Sequence, residues 1–284
     1  MQSAKIFCVV FLLMFVLQLN SNGQTPEKQF SKEELQKDFN AFRNKYESML
    51  ANLYLYTPKQ RLDKVFDSLY QHIHPMTEME FYSYITPVSS VIKDGHSNIF
   101  PTKQTVEYFN EHANFFPFNI YWNNDKLFIK MNLSEDTTIH AGAEILSVNG
   151  KPSKKIMTYL LDRQVRDGNN ENYPLWILNN YFREYYSYQF GHSDMFTLAI
   201  KTENNSTKEI KINALSKATI ASNKASRYAV QKNDAYFIVD NATNTGIFTI
   251  KSWEDKGLKA QIDDVFAQLK TKKMDNLIID VRNN

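Results

Sequence analysis

The most constraining stretch of this sequence is its last crossover. Asn276–Val281 reads N-L-I-I-D-V and is nearly all apolar. Asp255–Lys270 precedes it with Leu258, Ile262, Val265, Phe266 and Leu269 on one helical side, and Gly246–Ile250 (GIFTI) before that has the composition of a strand. Strand, helix and a strand without polar alternation predict a right-handed crossover feeding a strand buried on both faces of a parallel sheet. Functional residues in such sheets gather at strand carboxyl ends. Here that end holds Asp280, Arg282 and Asn283. A sheet made only of Ala235–Val239, Gly246–Ile250 and this strand has about three strands and open edges. The expectation is therefore an incomplete sheet, and a chain that is a fragment of a longer polypeptide.

The amino-terminal part has another period. Ser31 followed by Glu34 forms a capping box, and Phe39, Phe42, Tyr46, Leu50 and Leu53 then recur at helical steps. Thr57-Pro58 opens a second helix with Leu62, Val65, Phe66 and Leu69 inward, and a third is expected over about Thr77–Ile92. Beyond Pro101 and Pro117 the period becomes two. Phe118–Trp122 and Lys126–Lys130, joined by Asn123-Asn124-Asp125, predict a hairpin. Helices are expected over about Ser153–Leu161 and Glu171–Tyr186, with strands near 195–201 and 207–213. Ser216–Asn233 is polar, rich in Ser, Ala and Lys, and reads as a linker.

The first 23 residues have the form of an export signal. Lys5 precedes an apolar run, Ile6–Leu19, and then Ser21-Asn22-Gly23, with cleavage expected before Gln24. The run is shorter than the ~20 residues a membrane-spanning helix needs, so no stable span is expected after cleavage. The single cysteine, Cys8, lies inside it, which leaves the mature chain without disulfides or cysteine-bound zinc. An exported, cysteine-free chain points to a bacterial periplasm or exterior, or to membrane association where the signal stays uncleaved.

Composition excludes several classes. Lys+Arg 33 against Asp+Glu 31 is balanced and scattered, which argues against a nucleic-acid partner. With eight glycines the chain has no dinucleotide fingerprint, Walker loop or G-x-S-x-G elbow, and no cofactor is expected. His72-x-His74 closes a helix before Pro75 without a third ligand nearby, so no metal is expected. His112, His140 and His192 sit among polar residues and are expected to be solvated.

Three segments, taken in order, resemble the tail-specific, or C-terminal-processing, serine protease family, whose catalytic domain is shared with the tricorn core. Lys93-Asp94-Gly95-His96-Ser97 is similar to the family's D-G-H-[ST]; Ala141–Pro152 is similar to the strand and turn of its PDZ-like module; Gly246-Ile247-Phe248 with Asn276–Asn284 is similar to the strand and L-I-I-D-x-R-x-N that lead into a Gly-Gly turn. The resemblance implies a multidomain α+β chain. Residues 1–23 are the signal, 24–110 a helical domain, 111–228 a PDZ-like module with a helical insertion, and 229–284 the start of an α/β, ClpP/crotonase-like protease core.

The resemblance also implies peptide-bond hydrolysis through an acyl-enzyme, on a protein or peptide substrate. The nucleophilic serine is placed beyond this chain, so the fragment alone is expected to be inactive. In the tricorn-like branch an upstream histidine is the base, and His96 is the position that matches. A histidine suits that role because the residue type ordinarily exchanges its proton at about pH 6.5. The same turn reads equally as a histidine beside a tight glycine turn at a helix end, and the family's other branch uses a lysine. Ser97, Asp280, Arg282 and Asn283 are expected to support the site. Phe115–Phe118 holds Pro117 and no glycine, so the PDZ-like module lacks the usual loop for a peptide carboxylate. The competing reading is a non-catalytic binder of an apolar ligand or peptide on the same fold, with Tyr173, Trp176, Tyr181, Phe182, Tyr185 and Tyr186 as pocket or core.

Overall fold

The computed structural model describes residues 27–202, 205–228, 234–254 and 256–282. In chain order the elements are β1 (Gln29–Phe30), α1 (Lys32–Met49), α2 (Lys59–Gln71), β2 (Met76–Thr77), α3 (Glu78–Ile85), α4 (Val88–Ile92), α5 (Lys103–His112), β3 (Phe118–Asn123), β4 (Lys126–Asn132), β5 (Glu144–Val148) and β6 (Lys151–Pro152). There follow α6 (Ser153–Leu161), α7 (Asn172–Phe190), β7 (Met195–Lys201), β8 (Thr207–Asn213), α8 (Lys217–Arg227), β9 (Ala235–Asp240), β10 (Thr245–Ile250), α9 (Leu258–Lys272) and β11 (Asn276–Asp280). They form two compact units, Met1–Asn223 and Lys224–Asn284. The protein is a mixed α+β, multidomain chain. The export signal lies outside the described residues. No helix among the described residues is long and apolar enough to cross a membrane.

In the first unit α1 begins with the capping box, Ser31 and Glu34 each satisfying the other's backbone N–H. Its face buries Leu35 and Phe39 against Leu62 and Phe66 of α2. Phe39 meets Phe66 edge-on at 6.0 Å. Arg43 ties the pair outside, reaching Glu47, Asp63 and Asp67. The helix expected over Thr77–Ile92 is two helices. α3 is capped by Thr77 with Glu80, and the chain turns at Thr86-Pro87 before α4. Pro87 has no N–H to donate to the preceding turn, so the hydrogen-bond ladder breaks there although Thr86 and Pro87 both keep helical geometry.

The six-stranded sheet runs β3-β4-β5-β7-β8, with β6 on β5. The hairpin is as the sequence predicts: Asn124 and Asp125 both take positive φ, as a twisted two-residue turn requires. β7 and β8 pair over their full length. One face carries Phe116, Phe118, Leu127, Ile145, Phe196 and Leu198, and α6 and α7 close it with Met157, Leu160, Leu178, Phe182 and Tyr186.

Two sequence expectations are corrected here. The stretch read as a linker contains α8, whose Ile220 is buried. Alanine and lysine favour helix intrinsically, and one apolar anchor is too weak a periodic signal to announce it. His192 is not solvated. Its ring lies 4.3 Å from that of Phe109 and 5.0 Å from that of Phe115.

In the second unit β10 pairs antiparallel with β9 and parallel with β11. The predicted strand–helix–strand crossover is present. Gly246 lets the layers close, since a Cβ there would fall 2.7 Å from the Phe237 ring and 2.8 Å from Leu269. The expectation of a strand buried on both faces does not hold among the described residues. β11 is an edge strand, with Ile278 and Ile279 52% and 53% exposed. Ile279 shares a row with Phe237 and Phe248, but α9 packs over those two and leaves it bare.

Candidate active site

The D-G-H-S segment is a locked turn. α4 ends at Lys93, which takes the left-handed conformation. The Ser97 hydroxyl donates to the Asp94 carboxylate across the turn. The loop after α6 clamps it from a distance in sequence: the Gly95 N–H donates to Asp167 Oδ1 at 2.8 Å, the Gly168 N–H to the Lys93 carbonyl at 3.0 Å, and Lys93 Nζ to Asn169 Oδ1 at 2.7 Å. α1 holds the other side, Tyr46 Oη donating to the Ser97 carbonyl at 3.0 Å. Burial, and then the Asp94 charge, push the Tyr46 phenol up to about 12, so it remains a donor at neutral pH.

Within this frame His96 is exposed and makes no side-chain hydrogen bond among the described residues. It borders a groove of about 480 Å3 lined by Phe42, Tyr46, Met49, Leu50, Ile99 and Phe100. Met49 and Phe100 stand open to solvent, 72% and 62% exposed. The turn thus brings His96 and Ser97 to one groove. It aims the Ser97 proton at Asp94, not at the imidazole, which makes Ser97 a lock on the turn. Sequence reasoning missed Asp167 and placed Tyr46 only in a core stripe. Asp167-Gly168 carries a turn signal, but nothing local names Gly95 as its partner.

At the end of β11 Arg282 grips Asp280 through Nε and Nη2 at 2.8 and 2.7 Å, and its backbone N–H adds a third bond at 3.0 Å. These bonds, the guanidinium's first, hold the Asp280 carboxyl down to about 2, from an ordinary 3.8. Any stability the pair adds is fully present above about pH 4 and is lost as pH falls through about 2. Arg282 is exposed, so the contribution is small. A carbon-detected NMR titration is expected to place Asp280 near 2 and, in Arg282→Ala, higher but still short of the usual ~3.9, because the backbone N–H of residue 282 remains. Asn283 lies outside the described residues.

The open edge of β3 is occupied from within. The Trp122 N–H donates to Asn179 Oδ1 of α7 at 2.7 Å, and Arg183 of α7 bonds Asn119. Phe115, just before the strand, exchanges both backbone hydrogen bonds with Leu215. An added peptide strand would have to displace these groups.

The chain is an α+β fold with a histidine turn beside an apolar groove, and that fold is like the fold of solved protease structures. Solved structures of CPAF, a serine protease with a tail-specific-protease-like fold, are similar to it. A point mutant of CPAF superposes with TM-score 0.58 at 16% identity, mature CPAF with 0.55 at 15%, and mature CPAF complexed with lactacystin with 0.56 at 14%. Each comparison covers 89% of this chain and 56% of the CPAF chain, so this chain spans a little over half the length of those proteins. No family model and no curated protein matches it.

Proposed function

We propose that this chain is the amino-terminal portion of an exported, periplasmic or extracellular, serine-type peptidase of the tail-specific class. It would hydrolyse peptide bonds through an acyl-enzyme, with His96 as general base. The single observation that carries the reading is the fold likeness to CPAF over 89% of the chain. In this reading 24–110 is the helical domain, 111–228 the PDZ-like module and 229–284 the start of the protease core. Asp280 and Arg282 brace the carboxyl end of the core strand, and Asn283 is assigned with them to support of the site. No residue of the chain is assigned as nucleophile.

Acyl transfer needs a neutral base that accepts the serine proton and returns it to the leaving amine. The clamp of Asp167, Tyr46 and Ser97 fixes the backbone that carries the imidazole and leaves its rotamer to be set by substrate or by the rest of the site. The groove beside it suits an apolar substrate side chain. A fluorophosphonate probe applied to the full-length gene product is expected to label one serine. His96→Gln should slow labelling about 10²–10⁴-fold with unchanged Tm. Absence of any labelled serine would replace this reading with the binder. One observation favours that second reading: among the described residues His96 has no carboxylate or carbonyl partner to orient it, which a catalytic base ordinarily has.

A further inference from the structure

A second cavity lies in the first unit, away from the His96 groove. It has a volume of about 1050 Å3 and opens between α3, α5, α6 and α7. Most of its polar groups answer one another. Ser83 Oγ donates to Gln189 Oε1 at 2.7 Å, Gln189 Nε2 donates to Thr86 Oγ1 at 3.2 Å, and the Tyr159 hydroxyl lies 3.4 Å from Ser83 Oγ. Glu80 also lines it, but its carboxylate is engaged in capping α3 through Thr77.

Two lining groups keep a buried polar atom without a partner among the described residues, His192 at Nε2 and Arg163. The Arg163 guanidinium lies over the Tyr159 ring at 3.3 Å, and Nη1 donates to the Tyr159 carbonyl at 3.0 Å. Nε is buried without a partner, and no carboxylate pairs with the group among the described residues. Burial already pulls the guanidinium below its ordinary pKa. A partly desolvated cation in no direct ion pair among the described residues is costly, since Asp162 acts on it only at a distance, and the fork of a guanidinium matches a planar oxyanion. Tyrosines 84, 108 and 188 and Phe109 line the same cavity and present ring faces and edges. A volume of this size accepts a small organic ligand with room to spare.

We propose that this cavity binds a carboxylate carrying an aromatic or apolar body, its carboxylate on Arg163 and its body among the tyrosines. Two sources share that chemistry, a free small acid and the carboxyl terminus of a peptide.

The test uses the full chain labelled with 13C-methyl methionine, because Met79 lines this cavity and Met49 lines the His96 groove. The probes are 3-phenylpropionate and its amide, and a short peptide ending in phenylalanine as free acid and as carboxamide. The acid forms are expected to shift the Met79 methyl and to bind about 10- to 100-fold tighter than their amides. Arg163→Met is expected to erase that preference. The tighter of the two acids identifies the source. Equal binding of acid and amide, a shift at Met49 in place of Met79, no binding by either acid, or an acid preference surviving in Arg163→Met would overturn the assignment. The acid–amide comparison on the unmodified chain decides the matter even where Arg163→Met does not fold.

Discussion

Phe116→Ala is expected to destabilise the larger unit by about 3–5 kcal/mol, the range for emptying a packed aromatic site. The ring is 1% exposed. It meets Phe118 at 5.4 Å, Phe182 at 5.4 Å and Phe196 at 5.1 Å, all near edge-on, and lies roughly parallel to Tyr186 at 6.2 Å. One side chain therefore joins the entry to β3, the helix α7 and the strand β7. Each edge-on contact contributes beyond area alone, about 0.5–1.5 kcal/mol. The backbone gives the site little freedom to collapse, because Phe115 is pinned to Leu215 on one side and Pro117 stiffens the other. The measurement is a urea transition followed by tryptophan fluorescence, with Trp122 and Trp176 as reporters of this unit. Phe116→Leu retains most of the volume and should retain most of the stability. A loss below about 1 kcal/mol for Phe116→Ala would mean that the ring cluster does not hold this unit together.

What the sequence made legible follows from which signals are local. The capping box at Ser31, the Asn124-Asp125 turn and the strands at 195–201 and 207–213 depend on neighbours within a few residues, and all appear where expected. The crossover β10–α9–β11 was legible because its apolar pattern changes period twice. α5 was not. It buries only Thr105, and its start is fixed by Thr102 accepting from the Thr105 N–H after Pro101, a signal easily lost among polar residues. α8 was lost for the same reason. His192 sits in a polar stretch, and only the return of Phe109 and Phe115 from far upstream encloses it. The candidate site divides the same way. The turn at Asp94–Ser97 could be read directly. Its clamp could not, because Gly95 and Asp167 are 72 positions apart and neither announces the other.

That clamp makes Gly95→Ala the sharpest probe of the site. A Cβ at residue 95 would fall 2.6 Å from Asp167 Oδ2 and 2.9 Å from its carboxyl carbon. Either the carboxylate retreats and surrenders the Gly95 N–H, or the turn lifts. Steric crowding costs about 1–3 kcal/mol, and a hydrogen bond to a charged group contributes about 1.5–3. The two overlap, so a net loss of about 2–4 kcal/mol is expected in the same urea assay. His96 is adjacent and has no side-chain hydrogen bond among the described residues, so its position follows that of the turn. Its imidazole resonances should broaden or move, and in the full-length gene product probe labelling should fall with them. Asp167→Gly in the same molecule removes the obstacle. The double variant is then expected to be more stable than the sum of the single losses predicts, a positive coupling that crowding requires and a mere change of helix propensity would not give. If Gly95→Ala is as stable as the parent and leaves the His96 signals in place, Asp167 does not hold this turn, and the positional argument for His96 as a base loses its footing.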